Sequence, residues 1–143
     1  VNVTAAFLAA LRQIVKDRGK PRWESVLVAD TANVTPAAQA GFGRLLDAVW
    51  ERLEQQIRSL PGTVLLHDAT PLARYAGGTQ LLSRLAAGAR QTDEAPYGIW
   101  LLCPMDDPRE PALLDDQTVA TLGENEQLMV RPAIAASTTR RAS

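Results

Sequence analysis

A single cysteine, a single histidine and few aromatics leave this 143-residue chain poor in the side chains that build metal centres and nucleophiles. Cys103 alone can form neither an internal disulfide nor a cysteine-rich zinc site. Set within an apolar run, it reads as a small buried hydrophobe rather than a nucleophile. His67 has no serine or cysteine partner motif and reads as a strand-end histidine satisfied by a neighbour. Charge of one sign is missing as well: 15 basic against 16 acidic side chains give a net −1. That balance argues against nucleic-acid binding by the chain as a whole, although a local basic patch can hide in a balanced total. No apolar run approaches bilayer length and no charged-then-apolar signal opens the chain, so no membrane association is expected and the cytoplasm is the expected compartment. No Gly-x-x-x-x-Gly-Lys-Ser/Thr phosphate loop occurs, which removes the backbone donors and lysine that ATP hydrolysis needs.

What is present is globular. A 46% hydrophobic and 22% charged composition can fill one core and rules against disorder. A single domain over 1–136 with a flexible tail over 137–143 is expected. The chain opens on Val1 rather than methionine, which suggests a piece excised from a larger protein.

Three apolar runs each end in an acidic residue with proline close by. They are Val26-Leu27-Val28-Ala29-Asp30, Val64-Leu65-Leu66-His67-Asp68 and Ile99-Trp100-Leu101-Leu102-Cys103-Pro104-Met105-Asp106-Asp107. Helical periodicity separates them. The spacing of Phe7, Leu8, Leu11, Ile14 and Val15 predicts a first helix capped by Thr4 and ended by Gly19. Thr35-Pro36 opens a long one, with Phe42, Leu45, Leu46, Val49, Leu53, Ile57 and Leu60 on one stripe. Thr70-Pro71 opens a short turn, and a helix from Thr79 to Arg90 follows Gly77-Gly78. Strand, turn and helix in alternation predict an α/β three-layer sandwich with a mainly parallel central sheet, both faces covered. It would be P-loop-ATPase-like in its acidic second strand yet without the phosphate loop. Beyond residue 104 the pattern weakens, to short strands over 113–122 and 127–130 and a helical turn over 133–136.

Ligands of such sheets bind at the strand-end edge, so Asp30, Asp68, Asp106 and Asp107 are candidate binding residues, joined by Arg74 beside them. Adjacent carboxylates there can hold Mg²⁺ for phosphoryl transfer. Each aspartate also suits a helix cap or turn, which needs no ligand. Arg74 can bind an anion or a partner carboxylate, or simply pair with Asp68 or its neighbours. Gly77-Gly78-Thr79 can present backbone N–H groups to an anion, or act as a hinge. Trp23, Trp50 and Trp100 read as core or interface anchors rather than base-stacking platforms, since no basic-aromatic cluster is seen around them.

Several stretches resemble a known family. Phe7-Leu8-Ala9-Ala10-Leu11-Arg12, the run ending at Asp30, Leu65-Leu66-His67-Asp68-Ala69-Thr70-Pro71-Leu72-Ala73-Arg74-Tyr75, Gly98-Ile99-Trp100-Leu101-Leu102-Cys103-Pro104 and Pro111-Ala112-Leu113-Leu114-Asp115 carry the likeness. They are similar to the C-terminal region of PglW-type serine/threonine protein kinases of bacterial phage-growth-limitation, BREX-like defence systems. The resemblance implies that the kinase, with its ATP and Mg²⁺, lies outside this stretch, since no His-Arg-Asp or Asp-Phe-Gly motif is present. No catalytic residue carries over, and no cofactor of its own is implied. The implied role is a non-catalytic accessory or regulatory domain, perched on a decayed nucleotide-binding fold and docking to protein partners of the same system. The residues alone leave two alternatives: a metal-dependent phosphatase or nuclease using the carboxylate edge, and a nucleotide sensor that does not hydrolyse.

Overall fold

A computed structural model describes residues 1–31, 34–91, 96–105, 107, 109–119 and 128–130. Its first helix, α1 (Val3–Arg18), is capped two residues earlier than expected, because Asn2 accepts the Ala5 N–H at 2.8 Å. Thr4 turns outward from that duty and donates its hydroxyl to the Asp68 carbonyl at 2.6 Å. Gly19 closes α1 in the left-handed region, φ 67°, its N–H reaching the Val15 and Lys16 carbonyls.

The segment expected as the first strand is a helix, α2 (Trp23–Ala29). A run of four apolar residues fits a buried strand or a helical turn equally, and here the surroundings decide. Only Val26 is buried against the core, while Leu27 and Val28 face outward, Val28 at 62% exposure. Asp30 therefore ends a helix and lies at no strand edge.

α3 (Pro36–Arg58) follows the reading closely. The Thr35 hydroxyl caps it, Pro36 occupies its first turn, and Leu45, Leu46, Val49, Leu53 and Ile57 are buried together with Trp50. β1 (Thr63–Leu66), α4 (Thr70–Arg74), α5 (Gly78–Ala89) and β2 (Gly98–Leu101) then make a strand–helices–strand unit. β1 and β2 pair in parallel, with Thr63 opposite Gly98, Leu65 opposite Trp100 and Leu66 opposite Leu101. The chain start joins the other edge of β1 through a parallel bridge between Asn2 and His67. A small hairpin, β3 (Leu113–Leu114) with β4 (Gln117–Thr118), turns through Asp115 and Asp116, both at positive φ as a tight two-residue hairpin turn requires.

The result is a mixed α/β domain with a small parallel sheet. It differs from the expected three-layer sandwich because Val64 and Leu66 are buried under the helices while Thr63 and Leu65 are exposed. Among the described residues the sheet has one covered face. The core runs from α1 and α3 through Leu66 and Leu72 to Leu81 and Leu85. The expected turn over 133–136, the tail over 137–143 and the strand residues 120–127 lie outside the described residues; 128–130 carry no strand.

Candidate functional site

The acidic candidates divide into separate local networks. Asp68 follows β1 at φ 50°, a left-handed conformation that aspartate tolerates better than most residues. It lets the chain reverse from strand into α4. The Asp68 carbonyl accepts from the Thr4 N–H at 3.0 Å, and its carboxylate from Asn2 Nδ2 at 2.6 Å with His67 Nδ1 3.2 Å away. Asp68 thus fastens the start of α1 to the end of β1.

Asp30 serves a different junction. Tyr75 donates its hydroxyl to Asp30 Oδ2 at 3.1 Å, and Arg74 approaches the same oxygen at 3.9 Å. The Arg74 guanidinium also lies 5.6 Å from the centre of the Tyr75 ring. Burial, then the neighbouring Asp30 charge and hydrogen bond, push the Tyr75 phenol above its ordinary value. The carboxylate beside Arg74 is that of Asp30 rather than Asp68. Asp107 holds the Arg109 backbone N–H at 2.9 Å in a local turn, and Asp106 lies outside the described residues. Among the described residues no shared contact joins Asp30, Asp68 and Asp107. Among the described residues no group of three or more His, Cys, Asp or Glu side chains could hold a metal ion. Cys103 is half-buried against the core, and burial pushes its thiol pKa up.

Gly77 and Gly78 do their work in packing. Gly77, at φ 90°, begins α5 beside the Trp50 indole, whose Nε1 donates to the Ala76 carbonyl at 2.7 Å. Gly78 is buried directly against the Leu72 backbone. Both glycines thus sit where an added Cβ would meet a neighbour at close range.

Two arrangements escaped the sequence reading. One is a three-residue tie between α3 and α5: Glu54 accepts from Arg58 Nη2 at 2.9 Å and from Arg84 Nε at 2.8 Å. Burial alone would raise the Glu54 carboxyl, but the hydrogen bonds and charges of Arg84 and Arg58 outweigh it and hold its pKa below the ordinary value. A depressed carboxylate contributes stability above its unfolded value, about 4.3 for glutamate, and loses it as pH falls through the folded value. Glu54→Gln should therefore lower stability by about 1 kcal/mol at neutral pH. The urea midpoints of the two proteins should converge as the pH is lowered through the folded value of this carboxylate, and midpoints that stay parallel from neutral to acid would count against the tie.

The other is the face of the sheet that no described residue covers. Leu65 and Trp100 are register partners at 49% and 51% exposure, and Leu102, just past β2, is at 51%. Because both apolar runs lack polar alternation, periodicity cannot tell which face is open, and Trp100 was the one available signal.

Over 121 residues the chain is 38% identical to a probable kinase, PglW, of Streptomyces coelicolor. The match takes in 79% of this chain and 8% of that protein, so the chain spans a small part of the curated relative it resembles. The similarity to a segment of a PglW-type kinase, first seen in the short motifs above, is thus shown across most of the chain. No family model matches the chain, and no solved structure matches it significantly.

Proposed function

We propose that this chain is a non-catalytic docking domain of a PglW-type phage-defence kinase, and that the open face of its sheet is where it docks. The observation that carries this reading is the juxtaposed Leu65 and Trp100, with Leu102 beside them, all half-exposed on a parallel pair. Parallel sheets are normally covered on both faces, and a contiguous apolar patch left open marks a contact surface. The occupant is the remainder of the same kind of kinase polypeptide. The relative extends far beyond the segment matched here, so it has chain to supply the missing layer. Docking would complete the three-layer sandwich that the sequence pattern anticipates.

Trp100 would be the anchor, since large aromatic side chains dominate contact energies. Trp100→Glu should leave the thermal midpoint of the isolated domain within a degree or two. It should weaken association with a PglW-type kinase lacking this segment by at least about tenfold in calorimetry. Unchanged affinity would sink the docking face. The rival reading, a metal-dependent hydrolase, would gain ground only from Mg²⁺ or Mn²⁺ binding that Asp68→Asn abolishes.

A further inference from the structure

Five of the chain's 15 basic residues fall between positions 12 and 22: Arg12, Lys16, Arg18, Lys20 and Arg22. All five are exposed, along the last turns of α1 and the link into α2. Four arginines elsewhere stand beside carboxylates. Arg58 and Arg84 share Glu54, Arg74 meets Asp30, and Arg109 meets Asp107. Lys16, Arg18, Lys20 and Arg22 have no ion-pair partner among the described residues. The nearby Asp17 is taken instead by Gln13, whose Nε2 donates to it at 2.6 Å. Glu24, at the start of α2, is the other acidic side chain of the stretch.

The same region holds an open hollow of about 440 Å³ lined by Arg12, Val15, Lys16 and Trp23. Within it the Arg12 guanidinium lies 5.4 Å from the centre of the Trp23 ring. Trp23 is half-buried, so the pair offers a flat, partly wet platform beside unpaired cations.

We infer that the end of α1 and its link to α2 form a binding surface for single-stranded nucleic acid. Lys16, Arg18, Lys20 and Arg22 hold the phosphate backbone, and a base stacks in the hollow at Trp23 and Arg12. Aromatic and guanidinium planes beside a cationic track are the usual means of gripping a strand without reading its sequence. A single compact anion is a poor fit. The negative pole of α1 points toward this end, and the Gly19 N–H is already bonded to two carbonyls. A repeating polyanion gains instead from several spread cations at once, through counterion release. A duplex hides its base faces and leaves the tryptophan idle, and carboxylate side chains make no use of a stacking platform. The inference goes beyond the docking reading: it concerns a different surface and stands on charge and aromatic placement. It also departs from the expectation set by the net charge of −1, which averages this patch away.

The test is fluorescence anisotropy of a labelled oligothymidine with the full chain across a salt series. Expected is binding at about 50 mM salt whose logarithm falls with log salt at a slope of about −3, as four neutralised phosphates on a single strand require. Lys16→Gln/Lys20→Gln, both at exposed positions, should flatten the slope by about 1.4. Trp23→Ala should weaken binding about tenfold with the slope unchanged. No binding at low salt would overturn the inference, as would a slope indifferent to the lysine pair. Equal or tighter binding of a duplex, or of polyglutamate, would overturn it too, the latter in favour of an acidic protein partner. The Trp100→Glu variant should bind the oligonucleotide as the unaltered chain does, which separates failure of this surface from failure of the docking face.

Discussion

Gly78→Ala should be among the most damaging single substitutions in this domain, costing about 3 kcal/mol or more. A Cβ at position 78 would stand 2.3 Å from the Leu72 carbonyl oxygen and 2.6 Å from the Leu72 Cα. Both are backbone atoms of α4, so no rotamer change can relieve the overlap, and α4 and α5 would have to move apart. Alanine ordinarily improves a helix by about 1 kcal/mol over glycine, which is too little to offset that separation. Gly43→Ala supplies the control. It sits within α3 with nothing within 4 Å of the new carbon, and the same replacement there should stabilise by up to about 1 kcal/mol. Opposite shifts of the two urea midpoints are the expected result. A Gly78→Ala protein as stable as the unaltered chain would mean that the helices do not approach as described.

Phe7→Ala should cost about 3–5 kcal/mol. Phe7 is 2% exposed and stands at the meeting point of three elements. Its ring stacks on Tyr75 at 5.0 Å with planes 5° apart, and tilts against Trp50 at 5.0 Å. Phe42 meets the Tyr75 ring edge-on at 6.0 Å. Removing the ring loses its transfer free energy and leaves a cavity whose walls are themselves fixed. Trp50 is held by its bond to the Ala76 carbonyl, and Tyr75 by Asp30. Walls that cannot collapse put the cost toward the upper part of the range. Phe7→Leu should recover much of the loss, because a smaller apolar side chain still fills most of the gap. A midpoint indistinguishable from the unaltered chain for Phe7→Ala would show that this cluster is not the centre of the core.

Much of the fold was legible because its signals were long or paired. Thr35-Pro36 with seven apolar residues at helical spacing left α3 little alternative, and the runs at Val64–Leu66 and Ile99–Leu101 are strands as read. The failure at Val26–Ala29 has a physical cause. Four apolar residues carry too little period to separate strand from helix, and tertiary packing, which includes contact of α2 with α3, leaves Val26 as the inward residue. That one misreading propagates, since it placed Asp30 at an edge that does not exist. Pairings such as Asp30 with Tyr75, 45 positions apart, or Glu54 with Arg84, 30 apart, leave no trace in linear spacing. The basic stretch before Trp23 is visible in the letters, yet reading the tryptophan as an anchor without basic neighbours passes over it, and the total charge averages it out.

The three indoles divide the molecule optically. Trp50 is enclosed and hydrogen-bonded, Trp23 lies under a guanidinium at the cationic end of α1, and Trp100 lies open on the sheet. Emission from each is therefore tinted by a different neighbourhood, one dry, one ionic and one aqueous. Light alone can then distinguish an event in the interior from one at either surface, with no label added to the chain.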